Sequence, residues 1–517
     1  MNSHWRFILD LGALLAVFCS AGCAVHGELP QRISDNLDSI AAAAAASDQL
    51  VYVDPGPASQ AQATVYALQR TVFGWQPALA PVRANIGRNG IAPPWEKREG
   101  DGRTPSGLFP LRQAFGYPAA LKSRLPYRQV SFQDLWVDDA QSPDYNRWAR
   151  RGETEAGSFE ELMRSDPLYR YALVLEYNSA PVVRDLGSAI FMHVERAQAS
   201  PTSGCISLPE EALLQVAQWL DPADNPQVLI GTTAAVQTLA SGISSRIPAD
   251  LPPEMRLRLQ GAARLLTVRQ GKPGGYFAAA VSLPPAVERL MLAKKSWRPG
   301  CPVAPDQLAY LVVAFWGFDG QPHFGELVVH AALSAFVVDS LQSAYNARFP
   351  IERMELIEAF GADDERSMEA NNTSSFNCRD VPGKPESFSR HSYGAALDMN
   401  PRQNPFVQVK TDALKARGWN GTGEKPDFLA SLGFTGPAAA VEFCRKNAGD
   451  CLVLPSASAP YLDRLGNRPG MLQPGDPVLS SFTQRGFVWG GAWRFPDYQH
   501  IEYDIRKLVG AGGQSPR

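Results

Sequence analysis

Two histidines and one carboxylate, far apart in the chain, occur in sequence contexts typical of metal ligands. His391 and Asp398 lie in S-R-H-S-Y-G-A-A-L-D, and His500 ends the later D-Y-Q-H. Two histidines and a carboxylate are the protein half of a catalytic zinc site, whose fourth position stays open for water. To bind one ion, the fold must bring the two segments together.

The local patterns place these side chains on strands and loops. Period-two alternation puts Ala396 and Asp398 on one face of a predicted strand, so that a small residue leaves room beside the ligand. His391 then enters from the preceding loop. A second alternating run begins at His500, which shares a face with Glu502.

Two carboxylates near His500 are candidates for a general base. Asp497 precedes His500 in a segment where a tight turn would aim it at the attacking water. Glu502 is the alternative and ranks below it. The competing interpretation is that each histidine is an ordinary loop residue, but the chain has only 7 histidines and two fall in such contexts.

At these residues the chain resembles the zinc D-alanyl-D-alanine carboxypeptidases of the VanY-like family, whose pattern is S-x-H-x-x-G-x-A-x-D with a later D/E-x-x-H. The resemblance implies a zinc cofactor. It assigns His391, Asp398 and His500 as the ligands and Asp497 as the base.

The same resemblance implies a set of groups that contact the substrate. Arg379 and Ser389 would hold its carboxylate or the developing oxyanion, a task that suits the planar guanidinium fork. Trp489 and Trp493 would wall the cleft, although a buried tryptophan is more often part of the core.

A second candidate site lies upstream, at Cys205 in P-T-S-G-C-I-S-L-P and His193 in I-F-M-H. A cysteine that follows Gly204 can present its sulfur on a sharp turn, and the thiolate is the nucleophile once a nearby histidine lowers the thiol pKa. The pair alone is weak evidence, because buried inert cysteines are common.

Together with G-R-N-G at residues 87–90 and K-R-E-G-D-G-R-T-P-S-G at residues 97–107, this segment resembles the L,D-transpeptidase catalytic domain (YkuD-like). The resemblance spans most of residues 50–235. It implies Cys205 as the acyl-enzyme nucleophile and His193 as its base.

The resemblance also implies supporting roles around the nucleophile. Backbone N–H groups of Gly204 and Cys205 would form the oxyanion hole. Ser203 would orient the imidazole, with Thr202 as the alternative.

The chain departs from the commonest family pattern, S-H-G-C-[IV]-R. Ser203 directly precedes Gly204, and Ser207 stands where the arginine usually does. The departure leaves carboxylate recognition open, and with it the choice between acyl transfer to an amine and hydrolysis. Arg196 is a candidate substitute for the arginine.

The segment from residue 135 to residue 148 resembles a subgroup of the family and is interpreted as a lid or structural insert.

The length of 517 residues exceeds what one hydrophobic core usually organises. The predicted fold class is multidomain, a mostly β L,D-transpeptidase-like domain followed by an α+β zinc peptidase domain. Strand alternation is expected from Leu173 to Tyr177, and helical spacing over Glu210 to Leu220, Pro253 to Val268 and Leu327 to Phe349. The expected divisions are a signal peptide (1–23), a tether (24–49), the first domain (50–237), a connector (238–290) and the second domain (291–510).

The amino terminus indicates export. An apolar stretch from Phe7 to Phe18, too short to span a bilayer permanently, precedes S-A-G-C, which resembles a lipobox. Cys23 would then be lipidated, giving the protein its only membrane contact; the alternative is ordinary cleavage near Ala24. The expected location is the bacterial cell envelope.

The remaining cysteines agree with an oxidising compartment. Cys301, Cys378, Cys444 and Cys451 form an even set in the second half. We expect the pairs 301–378 and 444–451, one of three connectivities, which leaves Cys205 as the odd thiol.

The predicted function is peptidoglycan remodelling: zinc-dependent removal of terminal D-alanine from stem peptides, followed by Cys-dependent L,D-transpeptidation. The alternative is a zinc endopeptidase with a hydrolytic L,D-carboxypeptidase or a non-catalytic, wall-binding Cys205 domain. The partners are peptidoglycan stem peptides. A net charge of −3 gives no basic footprint for nucleic acid.

Overall fold

The computed structural model describes residues 29–35, 40, 44, 46–56, 61–271, 275–381, 384–422, 424–436, 438–466 and 468–508. The expected signal peptide, the lipid site at Cys23 and most of the tether lie outside these residues. In the described ranges, no helix has the length and apolar character needed to cross a membrane.

A sheet that closes on itself organises the first half. The ring order is β1-β15-β7-β12-β13-β14-β4-β2, closed because β2 pairs with both β4 and β1, while β3 and β8 extend it. Closure removes the open edges of the ring, and a core of aliphatic side chains fills it. The strands of this half are β1 (Gln49–Asp54), β2 (Gln62–Thr71), β3 (Gly74–Pro77), β4 (Val82–Asn85), β5 (Ile91–Ala92), β6 (Thr104–Pro105), β7 (Gly107–Gly116), β8 (Tyr127–Gln129), β9 (Asp134–Val137), β10 (Trp148–Arg150), β11 (Phe159–Glu161), β12 (Tyr171–Leu175), β13 (Phe191–Val194), β14 (Ile206–Leu208) and β15 (Gln227–Ile230).

The helices described in this half are short. They are α1 (Gln31–Ser34), α2 (Glu210–Trp219) and α3 (Thr233–Ser241). Helix α2 confirms the helix predicted from Glu210, and β12 confirms a strand at Leu173.

The segment interpreted as a lid or insert is a separate sheet with the order β10-β9-β11. Its Trp136 packs edge-to-face on Phe191 of β13, with ring centroids 5.2 Å apart. The Trp136 indole N–H donates to Asn146 Oδ1 at 2.8 Å. The insert is therefore fixed to the strand that carries His193.

The second half is α+β, as predicted. Helix α6 packs on one face of the four-stranded sheet β16-β17-β18-β19, and smaller sheets lie beside it. Its strands are β16 (Leu265–Gln270), β17 (Phe277–Ser282), β18 (Leu308–Trp316), β19 (Pro322–His330), β20 (Asp380–Val381), β21 (Lys384–Phe388), β22 (Ala396–Asp398), β23 (Phe406–Val409), β24 (Cys451–Leu454), β25 (Phe487–Trp489) and β26 (His500–Tyr503). The helices from here on are α4 (Pro253–Gln260), α5 (Pro285–Lys294), α6 (Ser334–Asn346), α7 (Asp364–Glu369), α8 (Thr411–Ala416), α9 (Lys425–Ser431), α10 (Ala439–Lys446) and α11 (Pro477–Gln484).

Two helix predictions need correction. The helix expected from Pro253 to Val268 ends at Gln260, next to Gly261, and the rest of that stretch enters β16. The helix expected from Leu327 begins only at Ser334, because the residues up to His330 pair with β18. Strand pairing outweighs helical spacing where Val328 and Val329 favour a sheet. The expected connector thus supplies β16 and β17 to the second sheet.

Both expected disulfides are present, and their pairing is confirmed. Cys301 bonds to Cys378 and Cys444 to Cys451, while Cys205 is a free thiol.

Buried charge joins the two halves. Asp339 of α6 accepts a hydrogen bond from Arg98 Nη2 of the first half at 2.7 Å and one from Arg269 Nε at 2.9 Å. Arg184 is fully buried; its N–H donates to Ala332 O at 3.0 Å, and its guanidinium donates to Lys507 O. The halves therefore share an interior.

Replacing Asp339 with alanine should destabilise the protein, because two guanidinium groups lose their shared acceptor. A broken buried ion pair costs about 3–5 kcal/mol, and we expect a loss of this order in urea unfolding. Glu161→Ala, which removes the exposed pair with Arg151, is the matched control and should cost less than about 1 kcal/mol. Equal effects of the two substitutions would contradict the importance of the interface.

Candidate active sites

The two predicted metal-binding segments meet as neighbouring strands. In the antiparallel pair β22 and β26, Asp398 lies directly opposite His500. His391 reaches the same point from a 3-10 turn over Arg390–Tyr393. The three side chains offer ligand atoms within 4.8 Å of one another.

Hydrogen bonds leave one nitrogen of each imidazole facing this point. His391 Nδ1 lies 2.6 Å from Ser375 O, which can only accept, so Nδ1 carries the proton and Nε2 keeps its lone pair. His500 Nε2 lies 3.1 Å from Glu502 Oε2, which leaves Nδ1 directed at Asp398 Oδ1 at 3.1 Å. Glu502 therefore binds the ring nitrogen of His500 that points away from Asp398. Because Glu502 makes this contact, Asp497 remains the preferred candidate for the general base.

The charges of the cluster support each other. Burial alone would lower the pKa of His500, but its hydrogen bonds with Asp398 and Glu502 raise the pKa to about 10. Burial works against ionisation of Asp398, yet the two imidazoles hold its pKa well below the usual range. Asp398 is thus a carboxylate ready to bind a cation.

The turn that carries His391 has specific backbone requirements. Ser389 Oγ accepts a hydrogen bond from the His391 N–H at 3.3 Å and caps the turn. Gly394 ends it with φ +64°, and a Cβ there would clash with the backbone N of His330. The G of the motif is therefore a steric requirement.

Asp497 lies beside the cluster in the turn before β26. Burial raises its pKa to about 7. Its Oδ1 is buried, with no hydrogen-bond partner among the described residues. A buried carboxylate with an unpaired oxygen is well placed to exchange a proton.

The remaining predicted groups lie around the cluster to different extents. Arg379 pairs with Asp364; burial lowers its pKa, and the charges of Asp398 and Asp497 raise it. The ring of Trp493, 38% exposed, is centred 5.5 Å from that of His500. Trp489 is buried and donates to Tyr498 O, so it belongs to the core.

The donor set fits zinc. Two imidazoles and a carboxylate match its preference for nitrogen and oxygen ligands, with His500 giving up a proton when the ion binds, and both imidazoles have the outer hydrogen bond that fixes a ligating histidine. His391 Nε2, His500 Nδ1 and Asp398 would hold the ion. The sequence analysis missed two orienting groups. A backbone carbonyl such as Ser375 O leaves no mark in the sequence, and Glu502 was considered there only as an alternative base.

The Cys205 sulfur lies at the end of β13. Sγ accepts from the Phe191 N–H at 3.4 Å and lies 3.2 Å from Ala189 O. Burial raises the thiol pKa to about 12. The resting group is therefore the thiol, and a thiolate must form during the reaction.

His193 is buried within the same strand, two residues after Phe191. Its Nδ1 lies 2.8 Å from Val194 O, so Nδ1 carries the proton and Nε2 is free to accept one. Burial lowers its pKa to about 4, which keeps the ring neutral. No hydrogen bond joins Sγ to the imidazole in the described part of the chain, and such bonds often tighten only when substrate binds.

The expected helpers of the nucleophile have other partners. Ser203 Oγ accepts from Arg88 Nη1 at 3.0 Å, so the imidazole is oriented by Val194 O rather than by Ser203. Thr202 Oγ1 donates to Cys205 O and accepts from the Gly204 N–H at 3.1 Å. With the Gly204 N–H committed, the Cys205 N–H is the better candidate for the oxyanion hole.

Arg196 is an exposed side chain that donates to Asp166 at 3.0 Å. Ser207, at the position of the usual arginine, is buried and accepts from Asn85 Nδ2 at 3.2 Å. Ser207 has no charge and Arg196 is paired with Asp166, so neither residue supplies an unpaired cation at Cys205.

Two protein-family models match the chain. Residues 48–233 match the L,D-transpeptidase catalytic domain and include Cys205 and His193. Residues 382–503 match D-alanyl-D-alanine carboxypeptidase. This range includes the three predicted metal ligands, His391, Asp398 and His500, and the neighbouring Asp497. The predicted order of the two domains is confirmed.

Known proteins add little beyond this. No curated protein matches the chain. Among solved structures, the helical cell shape determining protein Pgp2 from Campylobacter jejuni matches with 11% identity, 55% of this chain and 86% of that chain covered, and a TM-score of 0.19. At that TM-score the likeness supports no argument about the fold.

His500→Ala should abolish stoichiometric zinc binding, because it removes one of three ligands. Glu502→Gln should weaken zinc binding by about 10- to 100-fold, the usual effect of losing a group that orients a ligand. Asp497→Asn should retain the metal and serves as the control. Zinc content after dialysis against graded chelator measures all three, and wild-type retention in His500→Ala would contradict the ligand set.

Cys205 should be alkylated slowly in the resting protein. A thiol pKa of about 12 predicts a rate with iodoacetamide at pH 8 about a thousandfold below that of a free cysteine, since only the thiolate reacts. The rate should keep rising with pH beyond about pH 10. The leaderless chain, its other cysteines oxidised, can be followed by intact mass, with Cys205→Ala as the blank; a plateau below about pH 9 would contradict a buried thiol.

Proposed function

We propose that this protein remodels peptidoglycan with two active centres: a zinc-dependent carboxypeptidase around His391, Asp398 and His500, and an L,D-transpeptidase that uses Cys205. The observation that supports this best is the convergence of the three predicted ligands within a segment that matches the carboxypeptidase model. The expected location is the cell envelope, where both disulfides would persist.

In the second half, zinc when bound would act as a Lewis acid and lower the pKa of a water molecule. Asp497 Oδ1 would take the proton of the attacking water and return it to the leaving amine. Arg379, whose charge interacts with those of Asp398 and Asp497, would hold the free carboxylate of the terminal D-alanine, and Trp493 would pack against the peptide.

In the first half, Cys205 Sγ would attack the donor's carbonyl carbon while its proton passes to His193 Nε2. The amide C–N bond then breaks, and the departing amine takes that proton. An acceptor amine then attacks the thioester carbon and loses a proton to His193; the C–S bond breaks as the new amide forms, and His193 returns that proton to the sulfur to restore the thiol. The Cys205 N–H would stabilise the oxyanion of each step.

The two activities form a sequence in one chain. A carboxypeptidase converts a pentapeptide stem to a tetrapeptide, which is the acyl donor for L,D-transpeptidation. Because the halves share buried contacts through Asp339 and Arg184, both centres stay at a fixed separation. The product of one centre would thus form at a fixed distance from the other.

Hydrolysis at Cys205 is the second candidate. Ser207 replaces the usual arginine, and Arg196 is paired with Asp166. If no acceptor amine is held, water would attack the thioester and the first half would release a shortened stem.

Incubating the leaderless protein with disaccharide pentapeptide should give tetrapeptide first and cross-linked dimer second, read by mass spectrometry. Chelator should block the first product, and Cys205→Ala should block only the second. Tetrapeptide without dimers would favour hydrolysis or wall binding at Cys205. Unchanged pentapeptide in the presence of zinc would contradict the carboxypeptidase proposal.

A further inference from the structure

The Cys205 motif lacks its usual arginine, but another arginine, Arg164, lies near the Cys205 centre. Arg164 lies between β11 and β12, in a segment held against β13 by a hydrogen bond from the Val194 N–H to Leu168 O at 3.1 Å. The sequence gives no reason to connect Arg164 with Cys205, since no motif contains it. The fold brings the two together.

Tyr169 links Arg164 to the catalytic pair. The Arg164 guanidinium carbon lies 5.3 Å from the centroid of the Tyr169 ring, and that ring lies edge-on to His193 with centroids 5.3 Å apart. Tyr169 is buried in the same aromatic cluster that contacts Cys205. Arg164 is therefore one aromatic ring away from the reacting groups.

The orientation of Arg164 is fixed, but its donors are not exhausted. Nε and Nη2 donate to Asp166 at 3.0 and 3.2 Å, and Nη1 donates to Glu160 at 3.2 Å. A guanidinium has five N–H donors, so two remain uncommitted among the residues described. The Arg164 backbone N–H also donates to Tyr117 Oη at 3.2 Å.

Two carboxylates and one further guanidinium group surround Arg164. Asp166 is shared with Arg196, and its hydrogen bond with Arg164 lowers its pKa; Glu160 is the second carboxylate. Arg164 is the more enclosed of the two guanidinium groups, with 30% of its side chain exposed against 62% for Arg196.

We infer that Arg164 binds the terminal carboxylate of the peptide donor at the Cys205 centre. The inference rests on the proposed acyl transfer and names the group that selects its substrate. A planar guanidinium with two free donors matches a carboxylate.

The test compares tetrapeptide donors that end in a carboxylate or in a carboxamide, with chelator present to silence the second half. Acylation of Cys205 is followed by intact mass. Wild type should prefer the carboxylate donor, and Arg164→Gln should lower kcat/KM for that donor by about 100-fold while leaving the carboxamide donor nearly unchanged. Arg151→Gln, which removes an exposed arginine paired with Glu161, is the matched control and should keep the wild-type preference.

Each outcome decides the assignment. An unchanged preference in Arg164→Gln, or its loss in Arg151→Gln, overturns it. If Arg164→Gln turns over neither donor, Arg164→Lys decides: a preference reduced at least about fivefold supports the two-point contact, and the wild-type preference overturns it. If wild type forms no acyl-enzyme, acyl transfer itself fails, and calorimetric binding of the two donors to Cys205→Ala with and without Arg164→Gln still decides the carboxylate contact.

Discussion

A buried guanidinium without a carboxylate partner governs how this chain is assembled. Arg184 is 0% exposed; its Nη1 donates to the carbonyls of Ala140 and Ser142, and its Nη2 donates to that of Lys507. These acceptors come from the insert and from the end of the second half. A buried charge that loses its hydrogen-bond partners costs several kcal/mol. The barrel, the insert and the second half are therefore held as one body.

This assembly fixes the surroundings of both centres. Residues 97–104 contribute Arg98 to Asp339 of the second half and Thr104 to the carbonyl of Cys205. Helix α6, which carries Asp339, follows β19, whose last residue His330 donates to Gly394 O in the turn that holds His391. A continuous set of packed elements thus runs from one centre to the other.

Much of the metal centre was predictable because its ligands lie in short sequence motifs. Alternation in A-L-D and H-I-E predicts which side chains share a face, and the motif with its family resemblance identified His391, Asp398 and His500 as ligands. Counting left Cys205 as the odd thiol, and the expected disulfide pairing, one of three connectivities, is confirmed. The helix expected from Leu327 failed at its start, because pairing with β18 is a long-range effect that spacing along the chain does not record.

The sequence by itself determined the chemical groups, namely which residues can bind a metal, attack a carbonyl or form a disulfide, because these are properties of side chains and their spacing. Only the tertiary structure decided their partners. Val194 O rather than Ser203 orients His193, and Glu502 supports His500. It also placed Arg164 near Cys205, across the buried Tyr169. Hydrogen bonds of this kind join backbone carbonyls and residues distant in the chain, and they exist only once the strands are paired and the insert is packed.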